Sequence, residues 1–238
     1  MVWDVEHNTK RRRPAARSAR TKDVTSWVRE ELQFPADALQ ARVLGTPSKR
    51  GLLNCTRQWG KSTVTAAKAV YQACSTPESL TLVVSPSARQ SGEFLRKATG
   101  FVRKLGIRPK GDGDNEMSLE LPNRARIVGL PGNEATIRGF SAVALLLVDE
   151  AARVSDELYL AIRPMLAVSG GALWLMSTPY GKRGFFYEAW AHGGRNGNGC
   201  RRRRRNARGF RGSFWKRNGG RWESAASSRS ICANSRIR

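Results

Sequence analysis

The chain has 238 residues and a formal net charge of +23, from 42 Lys and Arg against 19 Asp and Glu. Its 40% hydrophobic share suffices for a packed core and excludes wholesale disorder. No apolar run approaches the roughly 20 residues that cross a bilayer, and no apolar stretch follows the Arg-rich start as a secretory signal requires. Four scattered cysteines, Cys55, Cys74, Cys200 and Cys232, lack CxxC spacing, which argues against a zinc site or disulfide framework and fits a reducing compartment.

The charge divides the chain into three. Residues 1–22 hold seven basic side chains and two acids, show no periodicity, and read as a basic flexible arm. Residues 195–238 hold 14 basic side chains and one acid, Glu223. The body between them, 23–194, is only mildly basic and carries the ordered pattern. Two basic ends on such a body suggest a polyanionic partner, against the plainer reading of solvated charge.

Within the body, helical periodicity runs over 24–33, breaks at Pro35, and resumes over 36–44. RGLLNC at 50–55 is a short apolar strand running into TRQWGKST, and 63–74 is a helix. LTLVVSP at 80–86 is a continuous apolar run, as in strands buried on both faces of a parallel sheet. A helix over 87–106, a hairpin over 117–130 and a strand over 143–150 follow. A helix over 155–167 and a strand over 171–178 complete the alternation, which predicts a doubly wound α/β sheet. The pattern ends near Gly194.

CTRQWGKST at 55–63 lies between a strand and a helix, and its end matches the phosphate loop GxxxxGK[ST], with Cys55 in place of the first glycine. Phosphate oxygens need backbone N–H groups at a helix start, which the loop supplies. Gly60 permits close approach, Lys61 brings a point charge to the β- and γ-phosphates, and Ser62 offers a hydroxyl to Mg²⁺. LLLVDE at 145–150 ends an apolar strand in two carboxylates. Asp149 is expected to hold Mg²⁺ through water, and Glu150 to activate the attacking water. An incidental core strand with an acidic cap is the alternative for either motif alone; both together, in order, favour ATP with Mg²⁺.

These segments resemble the large terminase subunits of tailed phages and prophages. CTRQWGKST is similar to that family's divergent phosphate loop, VDEAA at 148–152 to its Walker B strand, and STPYGKRGFFYEAW at 177–190 to its coupling motif. FPADALQARVL at 34–44 is similar to its adenine-contacting element, with Ala38 and Leu39 departing from the usual Pro-Trp. SPSARQSGEFLRK at 85–97 and ATIRG at 135–139 are similar to its connecting segments. The resemblance covers about 24–194. It implies a three-layer α/β P-loop NTPase domain with a mainly parallel sheet, flanked by disordered basic termini.

By the same resemblance, Gln40 contacts adenine, and Arg57 and Lys61 contact phosphates from a loop that includes Gln58 and Gly60. Ser62 and Thr63 stand at the metal edge, and Ser177 and Thr178 couple hydrolysis to movement. Arg138 is the arginine-finger candidate, against the plainer reading of a solvated loop arginine. Trp59 reads as packing, and His7 and His192 as non-catalytic. The function implied is the ATP-hydrolysing motor of a DNA-packaging terminase in the bacterial host cytoplasm. Its implied partners are double-stranded DNA, a portal protein, a small terminase subunit and further copies of itself in a ring, with no membrane partner. A helicase-like ATPase, and an inactive remnant that binds DNA nonspecifically, are the alternatives.

Intact large terminases continue into a nuclease that holds two metals on clustered carboxylates, and one acid after residue 194 cannot build such a site. The expectation is therefore a truncated motor without nuclease activity. Read from the third base of each codon, the DNA behind Phe214-Trp215-Lys216 must encode Leu-Glu, and that behind Trp222-Glu223 must encode Gly. Codons permitted nearby give acidic, amphipathic strings similar to the terminase connection between ATPase and nuclease. Residues 195–238 thus read as a disordered or out-of-frame tail, with a basic DNA-binding tail as the rival reading.

Overall fold

A computed structural model describes residues 22–108, 117–132 and 139–192, and the backbone of 210–218, 221–224 and 231–233. Helices α1 (Val24–Glu31) and α2 (Ala38–Gly45) come first, each started by an aspartate. Asp23 accepts from the amides of Thr25 (2.9 Å) and Ser26 (3.1 Å), and Asp37 forms a capping box with Gln40. Strand β1 (Arg50–Asn54) leads to α3 (Lys61–Ser75), and β2 (Leu80–Ser85) to α4 (Ala88–Lys104), capped by Ser87. The hairpin β3 (Ser118–Glu120) and β4 (Arg126–Pro131) is followed by β5 (Val143–Asp149). A 3-10 turn (Ala151–Arg153), α5 (Asp156–Ile162), β6 (Ala172–Ser177) and α6 (Gly184–His192) complete the body.

The six strands of the body lie in the order β3-β4-β2-β5-β6-β1. All are parallel except β3, which is antiparallel to β4. Because successive side chains on a strand face opposite ways, each strand feeds two cores. Leu53, Val83, Leu145, Leu147, Trp174 and Met176 pack under α1–α4; Leu52, Leu82, Val84, Leu146, Leu173 and Leu175 pack under α5 and α6. This is the expected three-layer α/β arrangement.

Three differences from the sequence reading have local causes. The helix expected over 155–167 stops at Ile162 and tightens into a 3-10 turn over Arg163–Leu166, because Pro164 has no N–H to continue the ladder. Helix α6 is an element that the alternation alone does not predict. Its Phe186 is buried in the second core, and Phe185 stacks on Tyr159 with centroids 3.9 Å apart. Where the composition predicts an unstructured tail, the backbone forms β7 (Phe210–Asn218), β8 (Arg221–Ser224) and β9 (Ile231–Ala233). β7 pairs antiparallel with β1 through Gly51↔Phe214 and Leu52↔Ser213, on the edge of β1 that the body leaves unpaired. The arm at 1–21 lies outside the described residues.

Candidate functional site

The parallel strands all end on one side of the sheet, and the turns after β1, β5 and β6 meet there. Residues 55–60 turn β1 back into α3. Gly60, at φ 88° and ψ 21°, takes a left-handed conformation open to glycine, and its carbonyl accepts the first bonds of α3 from Thr63 (3.0 Å) and Val64 (2.9 Å). Gln58, a non-glycine residue at φ 64°, holds the loop in a less accessible conformation, of the kind kept where surroundings enforce it.

Gln40 supplies part of that enforcement. Its Nε2 donates to the carbonyl of Trp59 (3.0 Å), while its Oε1 accepts from the amide of Asp37 (3.1 Å). The residue expected at adenine thus braces the loop from α2. Trp59 packs, partly buried, against the core under α1–α4.

Lys61 is 7% exposed, and its ammonium donates to the carbonyl of Thr56 (3.3 Å), so it spans the mouth of its own loop. Ser62 Oγ donates to Asp149 Oδ2 (3.1 Å), tying the start of α3 to the end of β5. Asp149 is 6% exposed. Burial pushes its carboxyl above the ordinary carboxylate range and the neighbouring Glu150 adds to this, while bonds from Ser62 and the Glu150 amide oppose it.

Glu150 follows at φ 47° and ψ 43°, a left-handed conformation that a glutamate adopts at a cost. The backbone thereby turns sharply at the end of β5 and starts the 3-10 turn. Thr178, just past β6, donates its hydroxyl to Glu150 Oε2 (3.4 Å). Ser177 Oγ accepts from the amide of Ala152 (3.3 Å) and donates to the carbonyl of Thr178 (2.9 Å). One chain of bonds therefore runs from the turn after β5 to the turn after β6.

A cavity of about 600 Å³ opens above these groups, lined by Arg57, Gln58, Gly60, Lys61, Ser62, Thr63 and Glu150 from the expected set. Asp149 lies behind Ser62, and Ser177 and Thr178 behind Glu150. Arg138 lies outside the described residues. Gln90 and Lys97 of α4, and Arg153 of the 3-10 turn, complete the lining. The sequence reading assigns them no role, although Gln90 and Lys97 lie in the segment 85–97 that it singles out and Arg153 directly follows 148–152. The missing signal is helical spacing: Gln90 and Lys97 are seven residues apart, two turns on one face of α4.

Among the described residues no group of three or more His, Cys, Asp or Glu could hold a metal ion. The Ser62 hydroxyl and Asp149 carboxylate fit a different use. Two hard oxygen ligands at the foot of an amide-rich loop suit Mg²⁺, which takes its remaining ligands from phosphates and water.

The family described as "Terminase large subunit, T4likevirus-type, N-terminal" matches residues 52–225, well over half of the chain and past residue 194. No curated protein matches the sequence. Among solved structures, the chain is similar to the ATPase domain of the Thermus phage P74-26 large terminase, with 22% identity, a TM-score of 0.58, and coverage of 71% of this chain and 76% of that one. It is also similar to the HK97 bacteriophage large terminase, at 17% identity and a TM-score of 0.56 over 66% of this chain and 37% of that one. The large terminase of bacteriophage D6E in complex with ADP follows, at 16% identity and a TM-score of 0.51 over 69% and 39%. These likenesses establish a shared fold. The chain spans less than two-fifths of the HK97 and D6E chains.

Proposed function

We propose that this chain, which belongs to the T4-like-virus-type large terminase subunits over their N-terminal region, binds and hydrolyses ATP as the motor part of a DNA-packaging machine. The observation that carries the reading is the bond from Ser62 on the phosphate loop to Asp149 beside Glu150, over a cavity lined by Lys61 and Arg57.

Each group has a task. The amides of 57–62, leading into the start of α3, would supply the donors a polyphosphate needs, and Lys61 would exchange the Thr56 carbonyl for phosphate oxygens. Ser62 and Asp149 would hold Mg²⁺, which neutralises charge developing on the phosphates. Because Asp149 is buried and resists ionisation, a cation beside it also removes the cost of its charge. Glu150 accepts from Thr178 on one oxygen and keeps the other for the attacking water. Arg57 stands at the cavity wall to meet transition-state charge, with Arg138 as the finger candidate.

The wider assignment follows the family. The motor moves double-stranded DNA in the host cytoplasm, as a ring of copies with a portal protein and a small terminase subunit, and without a nuclease site in 195–238. Binding to DNA is electrostatic and falls steeply with salt. No described helix is long and apolar enough to cross a membrane. A D6E large terminase of the same fold has been solved with ADP, which supports a nucleotide as the ligand. Purified protein tests the reading: Lys61→Ala should remove ATP binding or turnover while thermal unfolding stays cooperative. Wild-type affinity and rate in that variant would overturn it.

A further inference from the structure

Arg153 touches two places at once. It lines the phosphate cavity with Arg57, Lys61 and Glu150, and its guanidinium carbon lies 4.2 Å from the ring centroid of Tyr180. Tyr180 stands two residues past Thr178, in the turn that follows β6, and is 41% exposed. Arg183 approaches the same ring at 5.6 Å, so two cations share one aromatic ring. No ion pair among the described residues involves Arg153, although Glu150 starts its own turn.

That turn is short. The amide of Arg153 donates to the carbonyl of Glu150 (2.8 Å), so the backbone of Arg153 is tied to the turn that carries the water-activating carboxylate. On the other side, residues 179–183 are exposed, and Gly181 and Gly184 lie at φ 74° and 76°, a left-handed conformation that favours glycine at both ends of the pair Lys182 and Arg183.

A guanidinium on an exposed ring makes a weak contact, while two parallel bonds to a phosphate are strong and directional. The cavity therefore offers Arg153 a better partner whenever a triphosphate fills it. Resting on the nucleotide reading above, we propose that Arg153 contacts the terminal phosphate of bound ATP and, in doing so, gives up Tyr180. The exchange releases the 179–183 loop, so the turn after β6 receives two signals: one through Glu150 and Thr178, the other through Arg153 and Tyr180. ADP lacks the terminal phosphate and leaves the ring contact in place.

The test compares Mg²⁺-ATPγS and Mg²⁺-ADP binding by calorimetry in wild type, Arg153→Ala, Arg153→Gln and Lys61→Ala. The inference expects both Arg153 variants to lose about tenfold in ATPγS affinity and less than about twofold for ADP. Lys61→Ala should lose both, and unchanged ADP affinity verifies that the Arg153 variants fold. Tyr180→Trp supplies the second readout: the emission it adds over the parent protein, whose seven tryptophans include Trp59 in the loop, should shift with ATPγS, stay fixed with ADP, and lose the shift when Arg153→Gln is added. Equal losses for the two nucleotides, or none, overturn the inference while Lys61→Ala keeps the nucleotide reading standing. Absence of binding by the wild type overturns both. Emission from the Tyr180→Trp variant that responds alike to ATPγS and ADP removes the exchange.

Discussion

The two ends of the parallel sheet both carry cations, and they use them in opposite ways. Where the strands begin, Lys49 donates to the carbonyl of Gly170 (2.9 Å), Arg50 to that of Gly171 (2.6 Å), and Lys68 to those of Val43 (3.3 Å) and Leu44 (3.2 Å) in the last turn of α2. These charges close off carbonyls that a helix end and tight turns leave open. Where the strands end, Arg57, Lys97 and Arg153 face a cavity, and the carboxylates nearby are held by hydroxyls rather than by cations. A net charge of +23 says nothing about this division. The direction of the strands decides it, because their carboxyl ends lead toward helix N-termini, at which backbone amides converge.

The largest effect that sharpens this contrast belongs to Glu150. Glu150→Gln keeps an oxygen to accept from Thr178 and fits the same left-handed turn, but it cannot take a proton from water. Turnover should fall by roughly 10²–10⁴-fold, the usual range for a positioned base, with ATPγS affinity changed by no more than a few-fold. Steady-state rates beside a binding titration measure the split. If affinity falls as far as the rate, Glu150 is a charge that binds rather than a group that acts in the transition state.

The opposite end should answer in stability instead. A Cβ on Gly171 would overlap the carbonyl oxygen of Val143 and come within 2.9 Å of that of Ala144, both backbone atoms with no room to yield. Gly171→Ala should cost about 3 kcal/mol, the upper part of the range for overpacking. Its apparent melting temperature should drop by roughly 6–12 °C, at about 2–4 °C per kcal/mol for a chain of this size. Nucleotide affinity below the transition should be unaffected. A variant that melts normally but binds weakly would show that the two ends are energetically joined.

The layer arrangement is legible because the buried strands are nearly continuous apolar runs alternating with helical periodicity; the strand order β3-β4-β2-β5-β6-β1 and the caps Asp23, Asp37, Ser87 and Ser155 come from the structure. The juxtaposition of the 55–63 loop with Asp149 and Glu150 is legible because both segments follow apolar strands of one parallel sheet. Gln90, Lys97 and Arg153 are not, since what brings them to the cavity is the direction in which α4 and a 3-10 turn leave the sheet. Gln40 is marked for adenine by its motif, and the structure adds what the motif does not show: its amide holds the loop at Trp59 and the helix start at Asp37. Helix α6 is hidden in the sequence because its aromatic residues lie within a stretch that reads as a motif, and its burial against Tyr159 is a tertiary fact.

The smallest predicted effect concerns Lys68 and the pH. Its ammonium lies 4.8 Å over the ring of Trp174, and burial pushes its pKa down to about 8 from the usual 10.5. Below pH 8 both native and unfolded chains hold the proton, so the full cost of the buried charge is present. Between about pH 8 and 10.5 the native state has released the proton and the unfolded chain still binds it, so stability rises with pH. Cys55 and Cys74 act in the other direction. Burial lifts their thiols to about 11 and about 12, so above pH 9 the unfolded thiols ionise first and stability falls. Between pH 8 and 9 Lys68 contributes a rise of about 1 kcal/mol, which the onset of thiol ionisation in the unfolded chain partly offsets, so its share is read from the difference between wild type and variant. Lys68→Met should lose the rise in that window and keep the fall above pH 9, which melting curves of both proteins in matched buffers would show. Parallel curves would mean that the carbonyls of Val43 and Leu44 and the Trp174 ring hold the ammonium charged, and that this end of the sheet tolerates a cation as readily as the phosphate cavity does.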